Sequence, residues 1–146
     1  QLFRSNLTAK LNYNQSSQRR IIKHFLTTLD DYEDWYQNGA NGSPTTDCTI
    51  CFDLKYITID HIYPQSATTP DQEMEQHKNE IGNLALLSEG NNRALGNQPF
   101  TQKKRIFLQS RLKLTSVLAS LTDWTAAELN ARTEELLHRA MKVFTV

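Results

Sequence analysis

A chain of 146 residues, 38% of them hydrophobic and 22% charged, has the material for one modest core and no run near the ~20 apolar residues that span a membrane. Zero formal net charge argues against a simple polyanion binder, and two cysteines are too few for a disulfide scaffold. The charge is unevenly spread, however: between Glu89 and Asp123 there is no acidic residue, while Arg93, Lys103, Lys104, Arg105, Arg111 and Lys113 are all basic. Such a segment is either a solvated helix face or a local grip on a phosphate backbone. The N-terminus is polar, without an apolar leader, and the chain starts at Gln1, which suggests a piece of a longer cytoplasmic protein.

In chain order, residues 14 to 38 read as a helix, because Ile21, Ile22, Phe25, Leu26, Leu29, Tyr32, Trp35 and Tyr36 recur at three- and four-residue steps. "NGANGSPTTD" then breaks the pattern. Residues 54 to 62 favour a strand through Tyr56, Ile57, Thr58, Ile59 and Ile62. A polar segment from Pro64 to Glu80, with room for a short helix around Gln72 to Lys78, leads to a second strand at residues 82 to 88, "GNLALLS". "EGNNRALGNQPF" opens with one helical turn, and residues 99 to 112 form a basic amphipathic helix marked by Ile106, Phe107 and Leu108. The last helix is capped by Thr122 or Asp123 and carries an apolar stripe of Leu129, Leu136, Leu137, Ala140, Met141 and Phe144.

The chemistry-bearing residues gather around the two strands. Asp60 and His61 are adjacent, and Pro64 marks the strand's end. Neighbouring strand residues point to opposite faces, so a pair acting on one group belongs where the strand stops and twists. Asn83 opens the second strand and Asn92 follows at the start of the helical turn, with Asn91 beside it as an alternative ligand. An ordered set of Asp-His, Asn and Asn on strand, strand edge and helix is a strand–strand–helix metal centre in outline.

"IDHIYPQ" and "IGNLALLSEGNNRALGNQPFTQKK" resemble the two halves of an HNH (ββα-metal, His-Me finger) endonuclease domain, similar to that at the C-terminus of GmrSD-type restriction proteins. Gly82, Asn83, Leu84, Leu86, Leu87, Asn92, Asn97, Phe100 and Lys103 fall on that pattern, as do Trp124 and Arg132 in the final segment. The resemblance implies an α+β fold: a single domain with a helical flank at 1–46, a ββα core at about 47–110 and a helical flank at 111–146. It implies a metal-dependent DNA endonuclease or nickase of a bacterial anti-phage, modification-dependent restriction system. DNA is then one partner, and an N-terminal nucleotide-hydrolysing domain of the same protein is another. His61 would take a proton from water, and Asp60 and Asn92 would hold one Mg²⁺ or Mn²⁺ through hard oxygen atoms. Asn83, the other residue of the catalytic set, would fix the loop that orients His61. Arg93, Lys103, Lys104 and Arg105 would grip flanking phosphates.

Two departures from the superfamily stand out. The third motif letter is Asn rather than His, which keeps an oxygen ligand. Only one C-x-x-C pair is present, Cys48 and Cys51, so a closed zinc site is not expected. Free thiols, a redox pair, or a zinc completed by a histidine such as His24 remain the readings for it. Against the nuclease stand a nucleic-acid-binding module without catalysis and a thiol protein, the latter lacking a thioredoxin-like βαβ pattern.

Overall fold

The computed structural model describes residues 2–46 and 55–144. Its architecture is α+β: one two-stranded antiparallel sheet with helices packed on both faces. Helices α1 (Leu2–Lys10), α2 (Arg19–Asp31) and α3 (Glu33–Gln37) precede strand β1 (Ile57–His61). Helix α4 (Gln72–His77), strand β2 (Leu84–Ser88), α5 (Glu89–Leu95), α6 (Phe100–Leu108), α7 (Lys113–Ser116) and α8 (Ala126–Val143) follow.

The single helix expected over residues 14 to 38 is broken. A 3₁₀ turn at Ser16–Gln18 leads into α2, and Tyr32, at φ −98° and ψ 7°, leaves the helical region before α3. Ile22, Phe25, Leu26 and Leu29 form the buried stripe of α2, whereas Ile21 is half exposed because it lies off that stripe. Helix α1 carries no such periodic signal; the chain around it is held by Leu7 and Leu11 packing into the core. The cysteines Cys48 and Cys51 lie outside the described residues.

Strands β1 and β2 pair with Ile59 opposite Leu86, Asp60 opposite Ala85 and His61 opposite Leu84. The alternation of side chains divides two cores. Ile57, Ile59, Leu84 and Leu86 join α2, Leu112, Leu114 and Leu136 on one face. Ala85 and Leu87 join Leu95, Phe100, Phe107, Leu118, Trp124 and Leu129 on the other. Both faces of the hairpin are therefore covered, which is why "LALL" reads as a continuous apolar run.

Helix α8 starts at a capping box, with the Thr125 hydroxyl accepting from the Ala127 N–H and Glu128 accepting from the Thr125 N–H; the cap is not at 122 or 123. Leu129, Leu136, Leu137 and Ala140 are buried as expected, but Met141 and Phe144 at its far end are substantially exposed. The helix crosses the turn Ile81–Asn83 so closely that Gly82 has no room for a side chain. A Cβ there would lie 2.0 Å from Thr133 Oγ1 and 2.5 Å from the Leu129 carbonyl oxygen. Gly82→Ala is expected to cost about 1–3 kcal/mol or more of stability, read as a lower urea midpoint at unchanged slope. An unchanged midpoint would show that α8 can retreat. Among the described residues, no helix is long and apolar enough to cross a membrane.

Candidate active site

His61 is the last paired residue of β1, and its side chain lies on the α2 face of the hairpin. Its Nε2 is 3.1 Å from Asn79 Oδ1, and the Tyr13 ring stands edge-on to the imidazole, with centroids 4.5 Å apart. Burial lowers its pKa from 6.5 to about 4, assisted by the charges of Lys103, Lys78 and Arg19 and opposed by the Asn79 contact. The imidazole is therefore neutral at pH 7, the state a proton acceptor requires. Of these cations Lys103 is paired with Asp60 and Lys78 with Glu75, while the Arg19 guanidinium lies 4.3 Å from the centre of the Tyr13 ring beside His61.

Asn83 is fully buried and never touches the His61 ring. Its Oδ1 accepts from the Tyr63 N–H at 2.8 Å and from Trp124 Nε1 at 2.9 Å, while its Nδ2 donates to the carbonyls of Tyr63 and Lys78. Its own carbonyl accepts from the Ile62 N–H at 2.9 Å. The bonds to Ile62 and Tyr63 hold the chain leaving His61, and those to Lys78 and Trp124 tie that chain to the preceding turn and to the segment before α8. Arg132 extends the brace by donating to the carbonyls of Gly82 and Leu84, both at 2.7 Å. Burial lowers the Arg132 pKa to about 10, so the guanidinium stays charged at neutral pH. Trp124 and Arg132 thus acquire a physical reason for their places in the motif: they tie α8 to the turn behind the histidine.

Asp60 points to the opposite face, toward α5 and α6. It is 4% exposed, and both carboxylate oxygens accept from Lys103 Nζ at 2.9 Å. The same ammonium donates to the His61 carbonyl at 2.5 Å. This corrects the expectation that Lys103 grips a flanking phosphate. It is wholly buried as the counter-ion of Asp60, on the inward side of α6. Burial pushes Asp60 up and Lys103 down, each opposed by the partner's charge.

Asn92, on α5, packs against the same face as Asp60. Its Nδ2 donates to Thr58 Oγ1 at 2.8 Å and to the Ile59 carbonyl at 3.2 Å. Thr58 and Asp60 are two residues apart on β1, hence on one side of it. With its nitrogen turned to the strand, the amide oxygen is the end that can face a cation. One carboxylate and one carboxamide suit Mg²⁺ or Mn²⁺, hard cations that retain several waters. In this structure both Asp60 oxygens accept from Lys103 and the carboxylate also takes a backbone bond from His61, so a cation would have to compete with that ammonium for Asp60. Among the described residues, no three His, Cys, Asp or Glu side chains gather as a denser metal site.

The structure thus brings Asp60 and Asn92 to one face of β1 and His61 to the other, so the two halves can meet only around the end of the strand. Of the expected surface cations, Arg93 is exposed and paired with Glu89, Arg105 is exposed on α6, and Lys104 lies 5.9 Å above the Phe100 ring. The sequence reading missed Tyr13, Arg19, Lys78 and Asn79. Asn79 sits in the turn just before the Ile81–Asn83 segment, and proximity to that motif was the one signal it carried.

A family model described as the C-terminal domain of GmrSD restriction endonucleases matches residues 1–139. The chain belongs to this family. No match was found among curated proteins. Membership in the GmrSD C-terminal family ties the domain to nuclease function in a restriction system, as one part of a larger protein. The β1–β2–α5 order agrees with an HNH-like ββα core, with α6 to α8 and the N-terminal helices packed around it.

Proposed function

We propose that this GmrSD C-terminal domain is an HNH-type endonuclease that hydrolyses DNA phosphodiester bonds with one divalent cation. The observation that carries the reading is the imidazole of His61 at the last paired position of β1, with Asp60 and Asn92 together on the opposite face of that strand end. His61 takes the proton of the attacking water. Asp60 and Asn92 would hold Mg²⁺ or Mn²⁺, which when bound supplies positive charge to the scissile phosphate and the leaving oxygen. Arg19, whose charge already reaches His61, draws the phosphate toward it, while Lys78 beside it is held by Glu75. In the intact protein the DNA would be bacteriophage DNA, and an N-terminal nucleotide-hydrolysing domain would choose it in the bacterial cytoplasm.

Lys104, Arg105 and Arg93 lie on the outer side of α5 and α6, where they can contact flanking phosphates without reading bases. Exchanging Lys104 and Arg105 together for alanine is expected to weaken DNA binding for all sequences alike. The slope of log K against log salt should flatten by about 2, roughly one per lost phosphate contact. An unaltered slope would move the DNA to another face.

A second reading rests on the Lys103–Asp60 pair. A domain whose carboxylate is permanently held by an ammonium could bind DNA without cutting it. Relaxation of supercoiled plasmid in Mg²⁺ by the wild type, and its loss in His61→Ala, separates the two. Cleavage that survives His61→Ala would refute the proposed base, and tight binding with no cleavage by the wild type would favour the second reading.

A further inference from the structure

A neutral imidazole carries one N–H and one lone pair, and only the lone pair can accept a proton from water. Which nitrogen holds it is decided by the neighbours of the ring. His61 Nε2 faces Asn79 Oδ1 at 3.1 Å, and a carboxamide oxygen only accepts. Nε2 must therefore carry the hydrogen, which leaves the lone pair on Nδ1.

Asn79 is itself anchored from two sides. Its carbonyl accepts from the Tyr13 N–H at 2.9 Å, and the next residue, Glu80, forms a bridge with Asn12 and donates to the His77 carbonyl. The Tyr13 ring, at 86° to the imidazole, walls one side of it, and the Arg19 guanidinium lies 4.3 Å above that tyrosine. The ring is thus bonded at one nitrogen and flanked by a tyrosine whose own backbone N–H is bonded to the Asn79 carbonyl.

We propose that Asn79 is a positioning residue that fixes His61 as the Nε2–H tautomer and so presents Nδ1 to the attacking water. This rests on the reading of His61 as the base, and it adds a residue outside the Asp-His, Asn, Asn set. The reverse amide orientation would set Nδ2 against Nε2 and demand Nδ1–H, so the tautomer of the ring reads the contact directly.

The test is long-range ¹H–¹⁵N NMR of the labelled protein near neutral pH, following the His61 ring nitrogens. The wild type should show a protonated Nε2 and an unprotonated Nδ1. Asn79→Asp, whose carboxylate also accepts, should keep that pattern. Asn79→Leu should show exchange between the two tautomers and a kcat lower by about 10²-fold, with KM little changed. A wild-type ring protonated at Nδ1 overturns the proposal whether or not either variant folds. So does an Asn79→Leu protein that keeps the Nε2–H tautomer and full kcat. If the tautomers behave as expected but His61→Ala still cleaves, the identity of the base is wrong while the Asn79 assignment stands.

Discussion

Replacing His61 by alanine is expected to lower the rate of phosphodiester cleavage by about 10²–10⁴-fold, the range for loss of a positioned general base. Fold and DNA affinity should change little. The side chain lies at the edge of the first core, and its removal gives up the Tyr13 contact and the Asn79 bond while leaving the backbone bonds around it in place. The Ile62 N–H still reaches the Asn83 carbonyl, and Asn83 still holds Tyr63. The imidazole is neutral, so DNA loses no cation when it goes, and the salt dependence of binding should match the wild type. Cleavage under single-turnover conditions, beside a binding titration, separates lost chemistry from lost affinity.

Lys103→Met should be the most destabilising single change near the site, at about 3–5 kcal/mol, because it strands the Asp60 carboxylate in the second core. Burial already pushes the Asp60 pKa above its ordinary value, and the Lys103 charge and hydrogen bonds are what oppose this. The sign follows. A carboxyl whose folded pKa is raised contributes stability that is full below its unfolded pKa and is lost as pH rises through its folded one. Removing Lys103 raises it further, so the deficit of the variant should be largest near neutral pH and shrink on acidification. Adding Asp60→Asn to Lys103→Met should recover most of the loss at pH 7, since no bare charge then remains. Urea unfolding at two pH values reads both effects. A deficit below about 1 kcal/mol, equal at both values, would mean that water reaches Asp60.

Periodicity made much of the frame legible. The buried stripe of α2, the strands ending at His61 and Ser88, and the long final helix each follow from spacing that a core requires. Asn83 and Asn92 were legible as a set. What each does was not, because a hydrogen-bonding partner 20 or 34 residues away leaves no trace in local pattern. Lys103 shows the limit most clearly. A lysine beside Lys104 and Arg105 looks like part of a basic surface, and only the register of α6 against the hairpin turns it inward onto Asp60. Met141 and Phe144 lie at the half-exposed end of the α8 stripe, where the Phe144 ring still stacks on Phe25 with centroids 6.0 Å apart. Tyr13, Arg19 and Asn79 approach His61 through the bridge between Asn12 and Glu80, a single long-range contact that no motif announces.

The Lys103–Asp60 pair and the cation compete for the same carboxylate, so direct measurement of Mn²⁺ binding bears hardest on the whole arrangement. Electron paramagnetic resonance of Mn²⁺ titrated into the protein should show one bound ion in the wild type. The ion should persist in His61→Ala, whose imidazole lies on the other face of β1, and be lost in Asn92→Ala, which removes the carboxamide donor. Mn²⁺ that stays free with the wild type, or binds Asn92→Ala as tightly as the wild type, would contradict a cation held between Asp60 and Asn92.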